Sequence, residues 1–106
     1  MNTFDEREKA FEAKFKQDED LKFKLTAKRN KFLGEWASET LQKENREEYI
    51  KEVRESDLER PGDEDIIEKL MKDFSSANQE ITREKLLQKF SECEKKAREE
   101  LMEQNS

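Results

Sequence analysis

The residues best suited to chemistry lie in a basic stretch, KFKLTAKRNK, at residues 22–31. It carries five basic residues and no acidic one, and clustered cations of this kind suit phosphate groups. The candidates for a weak nucleotide-binding site are Lys22, Lys28, Arg29 and Lys31. The alternative, which such runs more often represent, is a solvated helix face or a face that pairs with acidic segments.

Two further groupings, an acidic triplet and a single thiol, have ordinary structural interpretations. Residues 63–65 read Asp-Glu-Asp but lack EF-hand spacing, and acids in a first helical turn complement the helix macrodipole. Cys93 lies on the apolar stripe of its helix, which predicts a buried and inert thiol. We therefore expect no metal site and no cofactor.

Histidine is absent from the chain. The commonest general base and the commonest metal ligand are therefore missing. The sequence predicts a protein that is not a conventional enzyme.

The composition limits the chain to one small helical domain. Of its 106 residues, 47% are charged and 31% are hydrophobic, with two Gly and one Pro, a balance that favours helix over sheet. The net charge of −6 disfavours nucleic acid and anionic membrane surfaces as partners. The sequence shows neither an apolar run that could span a membrane nor a signal peptide. With its lone cysteine, the chain is expected in the reducing cytoplasm.

Apolar spacing predicts an all-α fold, a small four-helix bundle over residues 20–104. The expected helices are 21–43, 45–59, 63–75 and 82–103. The clearest stripe consists of Ile66, Ile67, Leu70, Met71 and Phe74. Leu86, Phe90, Cys93, Ala97 and Leu101 form the stripe of the last helix.

Local signals mark most helix boundaries. RPG at 60–62 separates the second helix from the third. Asp63 and Thr82 are expected N-caps, the latter with a hydrophobic staple between Ile81 and Leu86. Gly34 lies inside the first helix, and we expect a neighbouring helix to approach closely there.

The break between the first two helices is left open by the sequence. Asn45 followed by Glu48 has the capping-box spacing. LQKENREEY, however, contains neither Gly nor Pro, so one continuous helix over 21–58 is the alternative.

An aromatic stripe precedes the bundle, in FDEREKAFEAKF at residues 4–15. In a helix Phe4, Phe11 and Phe15 fall within about 40° of one another, and Thr3 with Glu6 has capping-box spacing. Nothing within so short a segment can bury three phenylalanines, so they need either the bundle or another protein. The acidic QDED at residues 17–20 interrupts the stripe and suits a hinge between two parts of the chain. This favours burial of the phenylalanines by another protein. We expect residues 1–19 to be mobile when free and helical when bound.

Three stretches together suggest a family. FDEREKAFEAKF, KRNKFLGEWASE at 28–39 and GDEDI at 62–66 resemble, in order, the zeta inhibitor subunit of alphaproteobacterial F-type ATP synthases. The resemblance covers essentially the whole chain. It departs in one place, because the glycine-containing turn associated with the family between the first two helices is missing here.

The resemblance implies a cytoplasmic four-helix protein with an inhibitory N-terminal segment. In the family, this segment is thought to insert as a helix between alpha and beta subunits of the synthase head, against the gamma shaft. There it blocks ATP hydrolysis and largely permits synthesis. Carried over, the inhibitory segment is residues 1–19. The residues expected to contact the partner are Phe4, Arg7, Glu8, Phe11, Lys14 and Phe15.

Two other functions stay open at this point. The chain could be a helical adaptor whose N-terminal amphipathic helix binds a different protein. It could also be a helical bundle that binds nucleotide weakly through the basic stretch. We expect the chain to be a monomer when free, and an inhibitor of ATP synthase would lie at the inner face of the membrane when bound to the synthase.

Overall fold

The computed structural model describes residues 18–56 and 63–104, together with Glu6, Lys9, Ala10, Ala13 and Lys14. From residue 18 onward these described residues form four helices: α1 Glu19–Thr40, α2 Arg46–Ser56, α3 Glu64–Ser76 and α4 Arg83–Gln104. No strand occurs in the described ranges. The all-α, four-helix fold class is confirmed. No described helix is both long enough and apolar enough to cross a membrane.

The α1–α2 connection excludes the continuous helix. Gln42 has φ 55°, and its N–H donates to the Glu39 carbonyl at 3.2 Å while the Lys43 N–H donates to the Ser38 carbonyl at 3.0 Å. This pair of bonds is a Schellman motif, which ends a helix in a left-handed residue. The expected extension of the first helix to residue 43 is therefore wrong, because Gln42 adopts the conformation that glycine usually supplies.

The next helix begins where its cap was predicted. The Asn45 side-chain oxygen accepts the Glu48 backbone N–H at 3.1 Å. The Asn45 side-chain amide in turn donates to the Glu48 carboxylate at 3.4 Å. The predicted break is thus confirmed. Residues 57–62, including Leu58 and the expected end of this helix at 59, lie outside the described residues.

The last two helices are joined by a second Schellman motif. Asn78 has φ 57°, and the Gln79 N–H donates to the Phe74 carbonyl at 2.9 Å. Thr82 then caps α4 as predicted, since its Oγ1 accepts the Lys85 N–H at 3.1 Å. Asp63 differs from its expected role. It occupies the N-cap position of α3, but its side chain makes no capping hydrogen bond.

All four helices contribute to the main core. Its buried members are Leu33, Ala37, Leu41, Tyr49, Val53, Ile66, Ile67, Leu70, Phe74, Leu86, Phe90 and Cys93. A second cluster joins the N-terminal half of α1 to the C-terminal half of α4 through Leu21, Leu25, Ala97, Leu101 and Met102. The apolar stripes predicted for α3 and α4 are thus the faces that pack.

Gly34 has the packing role expected of it, and Trp36 also packs against the core. A Cβ on Gly34 would lie 3.1 Å from the Ile50 Cα and 3.2 Å from its Cγ2. The absent side chain is therefore what lets α2 approach α1 so closely. Trp36 is partly buried and stacks on Phe74, with ring centroids 5.2 Å apart.

The N-terminal segment is described at five positions only. Glu6, Lys9, Ala10, Ala13 and Lys14 are helical, and their side chains are exposed. Phe4, Phe11 and Phe15 lie outside the described residues, so the segment's mobility in the free protein stays a prediction.

The α1–α2 connection gives a stability prediction. A non-glycine residue pays about 1 kcal/mol for a left-handed conformation, whereas glycine adopts it freely. We expect Gln42→Gly to raise the free energy of unfolding by about 0.5–1 kcal/mol in urea denaturation. Gln42→Ala, which retains the Cβ, should change it by less than about 0.5 kcal/mol. A Gln42→Gly variant less stable than the parent would contradict this account of the turn.

Candidate functional site

The basic stretch of α1 does not gather its cations at one site. Lys22 and Lys31 are exposed, whereas Lys28 forms an ion pair with Glu100 of α4 at 3.5 Å. Arg29 is buried, with 8% of its surface exposed. The four candidate residues for nucleotide binding therefore face different surroundings, and nucleotide binding stays a prediction without a converging site.

Arg29 is instead held by groups of the protein itself. Its guanidinium donates to both carboxylate oxygens of Asp63, with Nη2 to Oδ1 at 2.8 Å and Nη1 to Oδ2 at 3.2 Å. Nε and Nη2 also donate to Oδ1 of Asn30, at 3.1 and 2.9 Å. The guanidinium carbon lies 5.1 Å from the ring centroid of Phe90. A two-pronged pair of this kind is the strong geometry for arginine and carboxylate.

This ion pair explains why the side chain of Asp63 does not cap its own helix. Its carboxylate instead accepts hydrogen bonds from Arg29. The ion pair thereby connects α1 to Asp63, the residue immediately before α3. The pair spans the connection at 57–62 and fixes where α3 begins relative to α1. The arrangement is structural, and it removes Arg29 from the surface on which a phosphate would bind.

The buried polar residues of α1 were not predicted as such. Arg29, Asn30 and Ser38 are all buried. The burial of Arg29 could have been inferred from its spacing, because it lies four residues from both Leu25 and Leu33 and so shares their helix face. Ser38 gave no comparable signal. Its hydroxyl donates to the Glu35 carbonyl at 2.9 Å and accepts from Arg46 Nε at 3.2 Å.

The N-terminal segment meets the bundle at Asp18. This residue is extended, at φ −112° and ψ 105°, and its carboxylate accepts the Leu21 N–H at 3.2 Å. On the other side, the Asp18 N–H donates to the Lys14 carbonyl at 3.0 Å. Asp18 is thus an extended residue with described helical residues before it, at Lys14, and after it, at Glu19, in the region where the sequence predicts a hinge.

Of the six predicted partner-contact residues, the structure describes one. Lys14 is helical and exposed, whereas Phe4, Arg7, Glu8, Phe11 and Phe15 lie outside the described residues. In helical register, Glu6, Lys9, Ala10 and Ala13 fall more than about 100° from the centre of the phenylalanine stripe. These four exposed side chains thus lie away from the stripe, which itself is untested.

A groove lies beside this joint, between α1 and α2. It has a volume of about 700 Å³ and contains the largely exposed side chain of Phe23. It is lined by Lys22, Phe23, Thr26, Ala27, Asn30, Glu47, Ile50, Lys51, Arg54 and Glu55. The sequence interpretation treated Phe23 only as part of the basic stretch, although its position off the apolar face of α1 was a signal of exposure.

Two buried titratable groups are held in their neutral forms. Burial raises the pKa of the Cys93 thiol above its ordinary value. Burial also raises the pKa of Tyr49, and so does the hydrogen bond that its hydroxyl donates to Asp73 at 2.7 Å. Cys93 is accordingly buried as predicted, and its thiolate is disfavoured at neutral pH.

Arg29 provides a test of whether the basic stretch is structural. Arg29→Ala removes a buried guanidinium from Asn30 and from the Asp63 carboxylate, which is 45% exposed, so we expect the free energy of unfolding to fall by about 1–3 kcal/mol in urea denaturation. Arg29→Lys keeps the charge but not the two-pronged geometry and should lose roughly half as much. Lys31→Ala, at an exposed position of the same helix, is the matched control and should change stability by less than about 0.5 kcal/mol. Equal effects of Arg29→Ala and Lys31→Ala would show that the ion pair does not stabilise the bundle.

Comparison with known proteins identifies the family of the chain. The family model of ATPase inhibitor subunit zeta matches residues 1–100. No curated protein and no solved structure matches the chain significantly. The matched range takes in the N-terminal segment, α1, α2, α3 and most of α4. The resemblance noted in the sequence is thereby confirmed, and the chain belongs to the ATPase inhibitor subunit zeta family.

Proposed function

We propose that this chain inhibits ATP hydrolysis by an F-type ATP synthase, with residues 1–19 as the inhibitory segment. The segment inserts as a helix at a catalytic interface between alpha and beta subunits of the soluble head, against the gamma subunit. The observation that carries the proposal is the family match over residues 1–100, because it includes the inhibitory segment as well as the bundle.

The division of the chain at Asp18 supports this role. Before it, the described side chains are exposed, and after it α1 packs into the bundle through Leu21 and Leu25. The described members of both core clusters begin at Leu21. Phe4, Phe11 and Phe15 lie outside the described residues, and in this proposal a partner buries them and the bundle does not.

The energetics of binding favour those side chains as anchors. Ordering the segment as a helix costs backbone entropy at every residue. New helical hydrogen bonds offset part of that cost, and burial of each phenylalanine contributes about 1.5–3 kcal/mol. Three aromatic anchors on one face are thus the main source of affinity in an otherwise charged segment.

The role proposed is regulatory and not catalytic. The protein acts in the cytoplasm as a free monomer and lies at the inner face of the membrane only when it is bound to the synthase. A helical adaptor for a different protein is the alternative, and it would leave ATP hydrolysis by the isolated head unchanged. An assay of that hydrolysis therefore separates the two functions.

The anchors give the first functional prediction. We expect Phe11→Ala or Phe15→Ala to remove about 2–4 kcal/mol of binding free energy, a loss of about 30-fold or more in inhibitory affinity. The thermal midpoint of the bundle should stay nearly unchanged. Titrating each variant against ATP hydrolysis by the isolated head, with circular dichroism melting in parallel, measures both quantities.

Lys9→Arg is the matched control, since it keeps the charge at an exposed position of the same segment, and it should inhibit normally. Normal inhibition by both phenylalanine variants would show that the stripe is not the anchor. Melting of the bundle in these variants would instead make the phenylalanines part of the protein's own core.

The second functional prediction concerns pH. The chain has no histidine, and Cys93 and Tyr49 are acids whose folded pKa values are raised. Their contribution to stability is therefore fully present below the unfolded pKa values, about 8.5 for cysteine and 10 for tyrosine, and is lost only as the pH rises above them. Between pH 6 and 8 we expect inhibitory potency to change little once the pH dependence of the ATPase itself is removed.

Titration of the inhibition at several pH values tests this prediction. A steep residual dependence that disappears in Glu8→Gln or Glu12→Gln would contradict it and assign the response to a carboxylate of the segment.

A further inference from the structure

Phe23 of α1 has the most exposed large apolar side chain among the described residues. Among the described residues, the large apolar side chains with substantial exposure are Phe23 at 69% and Leu87 at 41%. A single exposed apolar residue is ordinary in a small protein. Phe23, however, lines a groove of about 700 Å³ together with Ile50 and Ala27, whereas Leu87 lines no such groove among those described. The combination of an exposed aromatic ring and an adjoining apolar groove is typical of a protein-binding surface.

The position of this groove relative to the inhibitory segment indicates what covers it. Its first lining residue, Lys22, follows Asp18 by four residues, and the Lys22 N–H donates to the Asp18 carbonyl at 3.2 Å. The groove thus begins within the first turn of the helix to which the segment is attached. Phe23 follows Phe15 by only eight residues, so a partner that holds the segment up to residue 15 has its own surface close to the groove.

Charge around the groove also suits a particular kind of surface. Three cations, Lys22, Lys51 and Arg54, line it beside two carboxylates, Glu47 and Glu55, although the whole chain has a net charge of −6. Lys51 and Glu55 form an exposed pair at 3.9 Å, which leaves Lys22 and Arg54 as the cations best placed for an outside partner. On a partner, an apolar patch bordered by carboxylates would complement both the Phe23 ring and these two cations.

We propose that Phe23 and the α1–α2 groove form a second docking surface, which binds the outer surface of the ATPase head next to the site of the inhibitory segment. This inference rests on the proposed function, since it assigns the occupant of the groove to the same partner. Contact at Phe23 would hold the segment near its site by raising its local concentration, so that two weak attachments act as one tight one. The smaller groove between α1 and α4, of about 340 Å³, lacks an exposed large apolar side chain and does not share this position.

Photo-crosslinking in the full chain tests the contact directly. A photoreactive phenylalanine analogue, p-benzoylphenylalanine, is placed at position 23 in one variant and at position 87 in another, and each is mixed with the isolated ATPase head. We expect the analogue at position 23 to crosslink to an alpha or beta subunit and the one at position 87 not to do so. A crosslink from position 23 to a second copy of the chain, or no crosslink at all, would overturn the proposal.

Inhibition measurements separate this inference from the proposed function. We expect Phe23→Ala to weaken inhibition about tenfold, with an unchanged thermal midpoint, and Leu87→Ala to leave it unchanged. If the parent chain inhibits, Phe11→Ala does not, and Phe23→Ala inhibits like the parent, the second surface is wrong while the inhibitory function stands. If the parent chain itself neither binds nor inhibits the head, both fail.

Discussion

The pair between Arg29 and Asp63 holds the start of α3 against the middle of α1, and it joins the first half of the chain to the second across residues 57–62. Arg29 contributes from the middle of α1, and Asp63 immediately precedes α3. A buried guanidinium is costly to desolvate, and it is tolerated here because Asp63, Asn30 and the ring of Phe90 surround it. Such a pair adds directional specificity to a core in which the remaining contacts are largely aliphatic and could pack in more than one way.

Around this pair α1 is in contact with two other helices at close range. At Gly34 the backbone of α2 comes so near that a Cβ would lie 3.1 Å from Ile50 Cα. At its N-terminal end, Leu21 and Leu25 pack on Ala97 and Leu101 of α4. A chain that is only 31% hydrophobic has few apolar residues to bury, and α1 buries its own mainly against α2 and α4, while α3 packs on the same two helices. The same demand explains why polar residues such as Ser38 are drawn into the interior, with hydrogen bonds that offset their burial.

Much of this fold could be predicted from apolar spacing, and the parts that could not have identifiable physical causes. The stripe from Ile66 to Phe74 and the one from Leu86 to Leu101 follow helical periodicity and are buried as expected. The predicted end of α1 is three residues too late, because Gln42 adopts a left-handed conformation that glutamine rarely adopts and that the sequence therefore does not indicate. The side chain of Asp63 was assigned to the wrong partner, since a local capping pattern cannot reveal a cation 34 residues away. Of the candidate site, the aromatic stripe and the hinge stay predictions, and the sequence could not distinguish the inward-facing Arg29 from the lysines around it.

The geometry at Asp18 links the bundle to the proposed inhibition. Asp18 is extended and is hydrogen-bonded on both sides, because its N–H donates to the Lys14 carbonyl and its carbonyl accepts the Lys22 N–H. Few residues along the chain therefore separate the proposed inhibitory segment from the first turn of α1. A partner that held the segment would also bring the start of α1 close to itself, whereas a longer, glycine-rich linker would let the bundle diffuse away. The proposed contact at Phe23 depends on this short distance along the chain.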